Sequence, residues 1–576
     1  MKTSLQRQRW VAPSVALGLS VVALVAGGGA QRLPSPPSMD TCAVVGVGLS
    51  PHLLYESDPL DTFVARTGFV VRYDAVRHQP AFTVHELRPE ALAADGRPPA
   101  VRRSGFRVET IEGGGLTEGH GTDCYTVGSS ESGDVAVKPE DPNIVYTGAI
   151  GSSPGGGGNL LRYDHATGQV RIVTVWPEDY RGCDPKDMRY RFPWTYPIVF
   201  SPHDANTIYV TGNIAFRSTN EGTTWEEISP DLTRNDPTKQ VISGGPISKE
   251  GGSAEVYCTI FAFAESPLER GVFWAGTDDG LVHISRNNGD TWENVTPEDL
   301  PEWAMIRVIE VSVHDPGTAY VAATRYKLDD NRPFLYKTSD YGRTWRKISD
   351  GIPQNDFTRV IREDPARRGL LYAGTESGVY FSLDDGASWH SLQSNLPVVP
   401  IYDLVVKGSD LVAASHGRSF WILDDLTPLH QISDEALRAP AHIFNPRPAH
   451  RILRQAGSVP VVGPGKNYSI DMLGVPGTFY EKTTPGGETS RVLLDAGENP
   501  PNGVAVSFYL KGNPQDETTL AFIDPSGRRI KTFSTVSEDK SRLKAKSGMN
   551  RFVWDMRYPE AYKLQGEETQ KRKGAT

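Results

Sequence analysis

Cysteine is scarce in this chain, and its distribution argues against two common uses of that residue. The 576 residues include four cysteines, too few for a domain held together by disulfides. They are scattered and form no C-x-x-C pair, which disfavours a zinc site, and we expect no metal or other cofactor. If the protein is exported, one or two disulfides are an alternative to free thiols, and no pairing is predicted. The cysteines are Cys42, Cys124, Cys183 and Cys258.

Clusters of positive charge are also missing. The formal net charge is −10, from 60 Lys and Arg against 70 Asp and Glu. A nucleic acid partner requires a positively charged surface, so none is expected. Glycine and proline, in contrast, are plentiful at 57 and 43 residues. Such a composition is typical of a turn-rich all-β chain, and the length allows more than one domain.

One octet, Ser/Thr-x-Asp/Asn-x-Gly-x-Ser/Thr-Trp, occurs four times. Its glycine tolerates positive φ, its Asp or Asn accepts backbone N–H bonds, and its indole has a large apolar face to bury beneath a turn. Each copy therefore predicts a tight hairpin turn together with its anchor. The copies are Ser218–Trp225, Ser285–Trp292, Thr338–Trp345 and Ser382–Trp389.

A second pattern stands ahead of the octets. It consists of an Asp-Pro-type turn and an aromatic or β-branched run that ends in small residues, as from Asp141 to Gly148 and from Asp364 to Gly374. Short strands that recur in this way, at intervals mostly near the roughly 40 to 50 residues of a blade, are typical of a β-propeller. Six units are recognisable, beginning near Asp134, Tyr196, Thr259, Val308, Thr358 and Val399.

The first thirty residues have the pattern of a secretory signal. Lys2, Arg7 and Arg9 precede an apolar run, which ends in small residues at Gly28 and Ala30. We predict a signal peptide at 1–30, a linker at 31–60, and a secreted or periplasmic protein that does not otherwise contact a membrane. The alternative is an uncleaved N-terminal membrane anchor, because the run is nearly long enough to span a bilayer.

The segment from Phe63 to Leu87 resembles the opening hairpin of the DNA/RNA non-specific endonucleases. The chemistry of that family lies in an Asp-Arg-Gly-His motif and a downstream Asn that holds a divalent metal. The motif does not occur in this sequence, and a strand pair without a base or a metal ligand cannot activate water. We therefore predict a hairpin remnant and coil at 61–112, without nuclease activity.

The remainder resembles the large secreted bacterial proteins with BNR (Asp-box) repeats. The motifs Arg189–Trp194, Tyr257–Leu268 and Ser415–Asp425 carry this resemblance, and the repeats are similar to those of sortilin and of the two-propeller xyloglucanases. The resemblance implies a BNR/Asp-box β-propeller at 128–432 that binds a glycan or an extracellular polypeptide. Members of this type carry more blades ahead of this point. Two alternatives therefore stand, a closed ring of six blades and an open, incomplete ring. The alternative function is a glycoside hydrolase of the xyloglucanase type.

Beyond the repeats we predict a connector at 433–499, a partial β-sandwich at 500–564 and a disordered tail at 565–576. The connector includes a short helix from Asp434 to Arg438, and from Pro460 to Asn499 it reads as Gly/Pro-rich coil. The prediction of a sandwich depends on the alternation of apolar residues in four segments. These are Val504–Leu510, Thr518–Ile523, Arg529–Phe533 and Asn550–Trp554.

The candidate site lies on the face of the propeller formed by the B–C turns, where A to D are the strands of a blade from the axis outward. The octets fall on C–D turns of the opposite face and are expected to be structural. Weak catalytic candidates are Asp278, Asp279 and Glu376, because paired carboxylates can act as acid and base on a glycosidic bond; turn formation is the other interpretation. The expected ligand-binding residues are Tyr326, Asp330, His416 and Arg418. The four carboxylates in this set are expected to stay ionised in water, with binding and at most weak hydrolysis.

Overall fold

A computed structural model describes residues 127, 133–149, 159–178, 180–244, 249–251, 254–449, 503–524, 526–538 and 542–557, together with eight further strands between 54 and 109 and between 467 and 493. The predicted signal peptide, the predicted tail, Cys42 and Cys124 lie outside these residues. The other two cysteines are free thiols, Cys183 exposed and Cys258 buried. No helix in the described ranges is long and apolar enough to cross a membrane.

The chain is nearly all β, as predicted, and is built mainly from four-stranded antiparallel sheets with the strand order of propeller blades. Each strand pairs with the next one along the chain. We number these sheets as blades and label their strands A to D in the order of pairing. Blade 1 consists of Val135–Val137, Ile144–Ala149, Asn159–Asp164 and Gln169–Ile172. Blade 2 consists of Ile198–Ser201, Asp204–Thr211, Ala215–Ser218 and Glu226–Glu227. Blade 3 consists of Ile260–Glu265, Phe273–Thr277, Val282–Ser285 and Glu293–Asn294.

The next two blades repeat the same order, and the hairpin Ser243–Gly244 with Lys249–Glu250 precedes blade 3. Blade 4 consists of Met305–Val311, Ala319–Arg325, Asp330–Thr338 and Arg346–Lys347. Blade 5 consists of Thr358–Glu363, Leu371–Thr375, Val379–Ser382 and His390–Ser391. Short 3₁₀ turns occur at Pro185–Asp187 and Tyr326–Leu328.

Blade 6 takes its outer strand from a distant part of the chain. Its first three strands are Ile401–Lys407, Asp410–Ser415 and Phe420–Leu423, and its fourth is Phe106–Glu109, which precedes blade 1. Phe420–Leu423 runs antiparallel to that strand, with Trp421 opposite Val108. The pairing therefore ties the segment ahead of the first blade to the last blade.

The B strands form the core because neighbouring blades cover both of their faces. All five residues of Phe273–Thr277 and all five of Leu371–Thr375 are buried, as expected for strands packed between two sheets about 10 Å apart. Small residues in these strands let the next blade approach closely. A Cβ added to Gly276 would lie 2.3 Å from the Cγ2 atom of Ile306 in blade 4.

The octets form C–D turns, as predicted, and they do so by the expected hydrogen bonds. In the third copy, Asp340 accepts from the backbone N of Thr344 at 2.9 Å, and the hydroxyl of Thr338 accepts from the backbone N of Gly342 at 2.9 Å. The φ of Gly342 is +82°, and that of Tyr341 is also positive at +61°. Two consecutive positive φ angles close a tight hairpin with the twist of the flanking strands.

The octet tryptophans also join neighbouring blades, which the sequence did not predict. Each indole Nε1 donates to a backbone carbonyl at the outer edge of the preceding blade. Trp225 donates to Val173, Trp292 to Ile228, Trp345 to Val295 and Trp389 to Ile348, over 2.5 to 3.0 Å. The octet is therefore a fastening between blades as well as a turn.

Four further strands lie ahead of the blades and form one sheet in chain order: Leu54–Asp58, Asp61–Arg66, Gly68–Asp74 and Gln79–Leu87. The first lies in the range predicted as a linker. The other three lie in the range 61–112, predicted as a hairpin remnant and coil. That prediction was wrong in extent, since the three strands join the first in one sheet and Phe106–Glu109 is also a strand.

Helices Thr427–Gln431 and Asp434–Arg438 follow blade 6, and the second confirms the predicted short helix. Strands Asn467–Ile470, Pro476–Thr483 and Thr489–Leu493 form a sheet where coil was expected, so that prediction was wrong. In the C-terminal module, Val504–Leu510 pairs with Ala441–Ile443 and Gly548–Trp554, and Thr519–Ile523 pairs with Arg529–Ser534. Val506, Phe508, Leu520 and Phe533 form its core.

Candidate binding site at the mouth of the propeller

A cavity of about 630 Å³ lies on the face where the B–C turns and the connections between blades meet. We call it the mouth cavity. The B–C turns contribute Asp278 and Tyr326, and the connections between blades contribute Trp194, Tyr257 and Trp303. A pocket of this size on the predicted ligand face is large enough for a small ligand or for part of a larger one.

The wall of the mouth cavity includes the same structural position from four successive blades. Near the start of each A strand one residue has no partner on the B strand, so the strand bulges. In blade 4, for example, Ile306 pairs with Ala323 and Val308 with Ala322, which leaves Arg307 as the extra residue. A bulge redirects a side chain that regular pairing would direct elsewhere. The bulged residues are Phe261, Arg307, Arg359 and Tyr402, and all four line the cavity.

These four side chains pack on one another as cations on aromatic rings. The guanidinium carbon of Arg307 lies 5.1 Å from the ring centroid of Phe261 and 5.4 Å from that of Tyr402. That of Arg359 lies 4.3 Å from the Tyr402 ring and 4.8 Å from the ring of Phe357. Such stacking holds a guanidinium in place, and the N–H groups at its edge still donate hydrogen bonds in the plane of the guanidinium. In Arg359, Nε and Nη2 donate to Glu376.

Basic side chains outnumber acidic ones around the mouth cavity. Among the described lining residues, Asp278 is the one carboxylate, against five basic side chains: Lys239, Arg307, Arg325, Lys327 and Arg359. The overall acidity of the chain gave no indication of this, because the five residues come from separate connections and strands. Two of the five pair with carboxylates just outside the lining, Arg325 with Asp330 at 3.6 Å and Arg359 with Glu376 at 2.6 Å. The excess of positive charge at the mouth cavity therefore comes from the other three basic side chains.

Asp278 and Asp279 were expected to be carboxylates ionised in the water of an exposed mouth, and that setting was wrong because both side chains are buried. Asp278 accepts from the backbone N of Thr259 at 2.8 Å and from its hydroxyl at 2.7 Å. Burial raises the pKa of Asp278 to about 7, against the opposing effect of these hydrogen bonds. Asp279 is fully buried and accepts from the backbone N of Arg234 at 2.8 Å. Both carboxylates hold the turn to neighbouring connections, which is the turn-forming interpretation.

Glu376 and Asp330 are held by arginines. Glu376 accepts from Nη2 of Arg359 at 2.6 Å and from its Nε at 3.0 Å, and so lies one contact from the mouth cavity. Asp330 accepts two hydrogen bonds from Arg332, at 2.8 and 2.7 Å, and is not part of the cavity lining. The Arg332 side chain lowers the pKa of Asp330.

The remaining predicted binding residues differ in their distance from the cavity. Tyr326 lines it and stacks on Phe357 with the ring centroids 4.7 Å apart. His416 lies behind the wall, with its ring 4.7 Å from that of Tyr402. Arg418 is not among the lining residues, and its carbonyl accepts from the indole of Trp421. The sequence thus placed two of its seven candidates, Asp278 and Tyr326, in the cavity wall.

Arg307, Arg359 and the aromatic residues of the connections were missed. The bulged residue directly follows an apolar residue near the start of the A strand, as in Ile306-Arg307 and Ile401-Tyr402. Aligning the repeat units of the sequence on their A strands would have brought the bulged residues into one column.

No protein-family model matches the chain. The vacuolar protein sorting/targeting protein 10 of Clavispora lusitaniae is 24% identical over 199 residues, 34% of this chain and 10% of that protein. A xyloglucanase of Hypocrea jecorina is 26% identical over 172 residues, 27% of this chain and 20% of that enzyme. Xyloglucanase Xgh74A of Acetivibrio thermocellus is 26% identical over 149 residues, 23% and 18% of the two chains. The chain is thus weakly homologous to sortilin-like sorting proteins and to xyloglucanases, and spans a fifth or less of the length of these curated relatives.

Among solved structures, the GH74 xyloglucanase from Xanthomonas campestris aligns with a TM-score of 0.36 at 15% identity, over 65% of this chain and 51% of that one. YCF48 bound to the D1 peptide aligns with a TM-score of 0.31 at 15% identity, over 54% and 84%. Both are β-propeller proteins.

Proposed function

We propose that this chain is an exported β-propeller protein that binds a glycan in the mouth cavity. The observation that carries the proposal is the composition of the cavity wall, where six aromatic side chains accompany the basic ones. Flat rings supply apolar faces for sugar rings, and the surrounding polar groups supply hydrogen bonds. The rings are those of Trp194, Tyr257, Phe261, Trp303, Tyr326 and Tyr402. Export is inferred from the first thirty residues.

The similarity to sorting proteins suggests a second class of ligand, an extracellular polypeptide. Peptides are often bound as an added strand, which requires an unpaired strand edge. The mouth cavity is built from turns, connections and A-strand bulges rather than from a strand edge. Its geometry therefore favours a glycan, and a peptide becomes an outcome of the test below.

Hydrolysis, the second candidate, has one feature in its favour. Asp278 lines the cavity with a pKa raised to about 7, which suits a general acid. Hydrolysis also needs a second carboxylate as base or nucleophile, and no other acid is found among the described lining residues. Asp278 has hydrogen bonds to both of its oxygens, and Glu376 is paired with Arg359. We therefore propose binding with at most weak hydrolysis.

The test measures retention of the purified protein on a panel of polysaccharides and, separately, the release of reducing ends. The informative variant is Trp194→Ala, because this side chain lines the cavity and is 38% exposed, so that its removal costs little stability. We expect about tenfold weaker glycan binding, as for loss of one aromatic contact. Phe420→Ala is the matched control, since Phe420 is equally exposed but does not line the cavity.

Glycan retention that weakens with Trp194→Ala and not with Phe420→Ala would support the proposal. Binding of peptides but of no polysaccharide would overturn it in favour of a polypeptide ligand. Reducing ends released by the wild type and abolished by Asp278→Asn would assign hydrolysis instead.

A further inference from the structure

Two arginines of the mouth cavity share one aromatic ring. The guanidinium carbons of Arg307 and Arg359 lie 5.4 and 4.3 Å from the ring centroid of Tyr402. Arg359 is 6% exposed and Arg307 is half-buried. Two cations are thus held near each other in a concave part of the protein, where solvent screens their repulsion only partly.

The nearby carboxylates do not neutralise both arginines. Glu376 pairs with Arg359 at 2.6 Å. Glu310 and Asp403, on the A strands of blades 4 and 6, both pair with Arg362 of the A strand between them, at 2.9 and 2.7 Å. Among the described residues Arg307 has no salt bridge and no hydrogen bond, and its guanidinium lies over the rings of Phe261 and Tyr402. Two carboxylates act on it only through space: Asp403 raises the pKa of Arg307, and Arg307 lowers the pKa of Asp134.

The charge of Arg307 is therefore costly in the free protein. Burial is the main cause that lowers its pKa, and repulsion from Arg359 is the next. An anion that enters the mouth cavity relieves both effects, since it replaces lost solvent with charged hydrogen bonds. A guanidinium presents a planar fork of N–H donors, which matches the oxygens of a carboxylate or a sulfate ester.

We propose that the ligand of the mouth cavity is an acidic glycan, and that Arg307, supported by Arg359, binds an anionic substituent of its sugar ring while the aromatic side chains contact the ring faces. This inference rests on the proposed glycan-binding function and adds the charge of the ligand to it. The anionic substituent is a carboxylate, as in a uronic acid, or a sulfate ester, and the two are separated by experiment.

The experiment titrates the full chain with three oligosaccharides of equal length: an oligogalacturonide, its methyl ester, and an oligosaccharide of neutral sugars that carries sulfate esters. The methyl ester has the same sugar rings as the oligogalacturonide without the charge. We expect at least one acidic ligand to bind tenfold or more tightly than the methyl ester, because hydrogen bonds to charged groups are stronger than neutral ones. The preference should weaken as salt is added.

Arg307→Gln is the test variant, and it should reduce the ratio of acidic to neutral affinity at least fivefold. Arg332→Gln is the control, since Arg332 is paired with Asp330 on the same blade but is not part of the cavity lining. It removes the same charge and should leave the ratio as in the wild type. Thermal melting of both variants checks that each is folded.

The outcomes separate the two proposals. Equal affinity for the oligogalacturonide, its methyl ester and the sulfated ligand would overturn the acidic inference and leave glycan binding standing. A charge preference that survives Arg307→Gln, or that Arg332→Gln also removes, would overturn the role of Arg307. Failure of these ligands and of every polysaccharide in the panel to bind would overturn the proposed function itself.

Discussion

The indole Nε1 of Trp345 donates a hydrogen bond to the backbone carbonyl of Val295, 2.6 Å away at the outer edge of the preceding blade. The tryptophan closes the octet of blade 4, and Val295 follows the D strand of blade 3. One side chain therefore completes a turn and fastens two sheets. The same bond recurs at Trp225, Trp292 and Trp389.

Replacing Trp345 with Phe should lower the free energy of unfolding by about 1 to 2 kcal/mol, because the ring contacts are largely kept while the carbonyl of Val295 loses its partner. Urea unfolding measures the change. Trp194→Phe is the matched control, since the indole of Trp194 has no hydrogen bond among the described residues, and it should have little effect. Equal losses in the two variants would show that the bond to Val295 contributes nothing.

Gly342→Ala should be more destabilising than turn strain alone explains. Gly342 has a φ of +82°, and a Cβ there would lie 2.8 Å from the Cβ of Val295. Gly168→Ala serves as the control, because Gly168 has a similar φ of +70° with nothing within 4 Å. We expect losses of about 3 kcal/mol and about 1 kcal/mol, from strain plus contact and from strain alone. Equal losses in urea unfolding would rule out a contribution from the contact with blade 3.

The turns could be predicted from the sequence because their chemistry is local. Asp340, Gly342 and Trp345 lie within one octet, and the bonds that shape the turn stay inside it. The pairing of Phe106–Glu109 with Phe420–Leu423 could not be predicted, because it joins segments far apart in the chain and no local pattern marks it. The strands between Asn467 and Leu493 were missed because Gly and Pro dominate the surrounding sequence.

The candidate site was predicted only in part, since its charge and shape arise from tertiary structure. Turn position pointed to Tyr326 and Asp278, and both line the cavity. Arg307 and Arg359 stand in segments that read as ordinary A strands, and only the bulges direct them into the cavity. Asp278 is buried and accepts hydrogen bonds from Thr259 of the preceding connection. Both effects come from tertiary structure, so its ionisation could not be inferred from the Asp-Asp-Gly pattern.

The stability of the protein should contain a pH-dependent contribution from Asp278. Its pKa is about 7 in the folded protein, against the ordinary value of 3.8 for an Asp side chain. A raised carboxyl pKa contributes stability that is fully present below pH about 4 and is lost as the pH rises through about 7. Asp278→Asn should therefore remove part of the decline in unfolding free energy over this range, as measured by urea unfolding at several pH values. Asp290→Asn, at an exposed octet position, should follow the wild-type profile, and an unchanged profile in Asp278→Asn would contradict the prediction.

The strand Phe106–Glu109 should stabilise blade 6, because it satisfies the outer edge of Phe420–Leu423. A chain that begins at residue 113 lacks this strand, whereas a chain that begins at residue 89 keeps it and serves as the control. In the shorter chain we expect faster amide exchange along Phe420–Leu423 and a melting temperature several degrees lower, since the exposed edge loses its ladder of hydrogen bonds. The control should retain the protection of the full chain at these amides. Equal exchange in the two truncated chains would show that the edge does not depend on the pairing, and loss of protection in both would assign the stabilisation to the sheet between Leu54 and Leu87 instead.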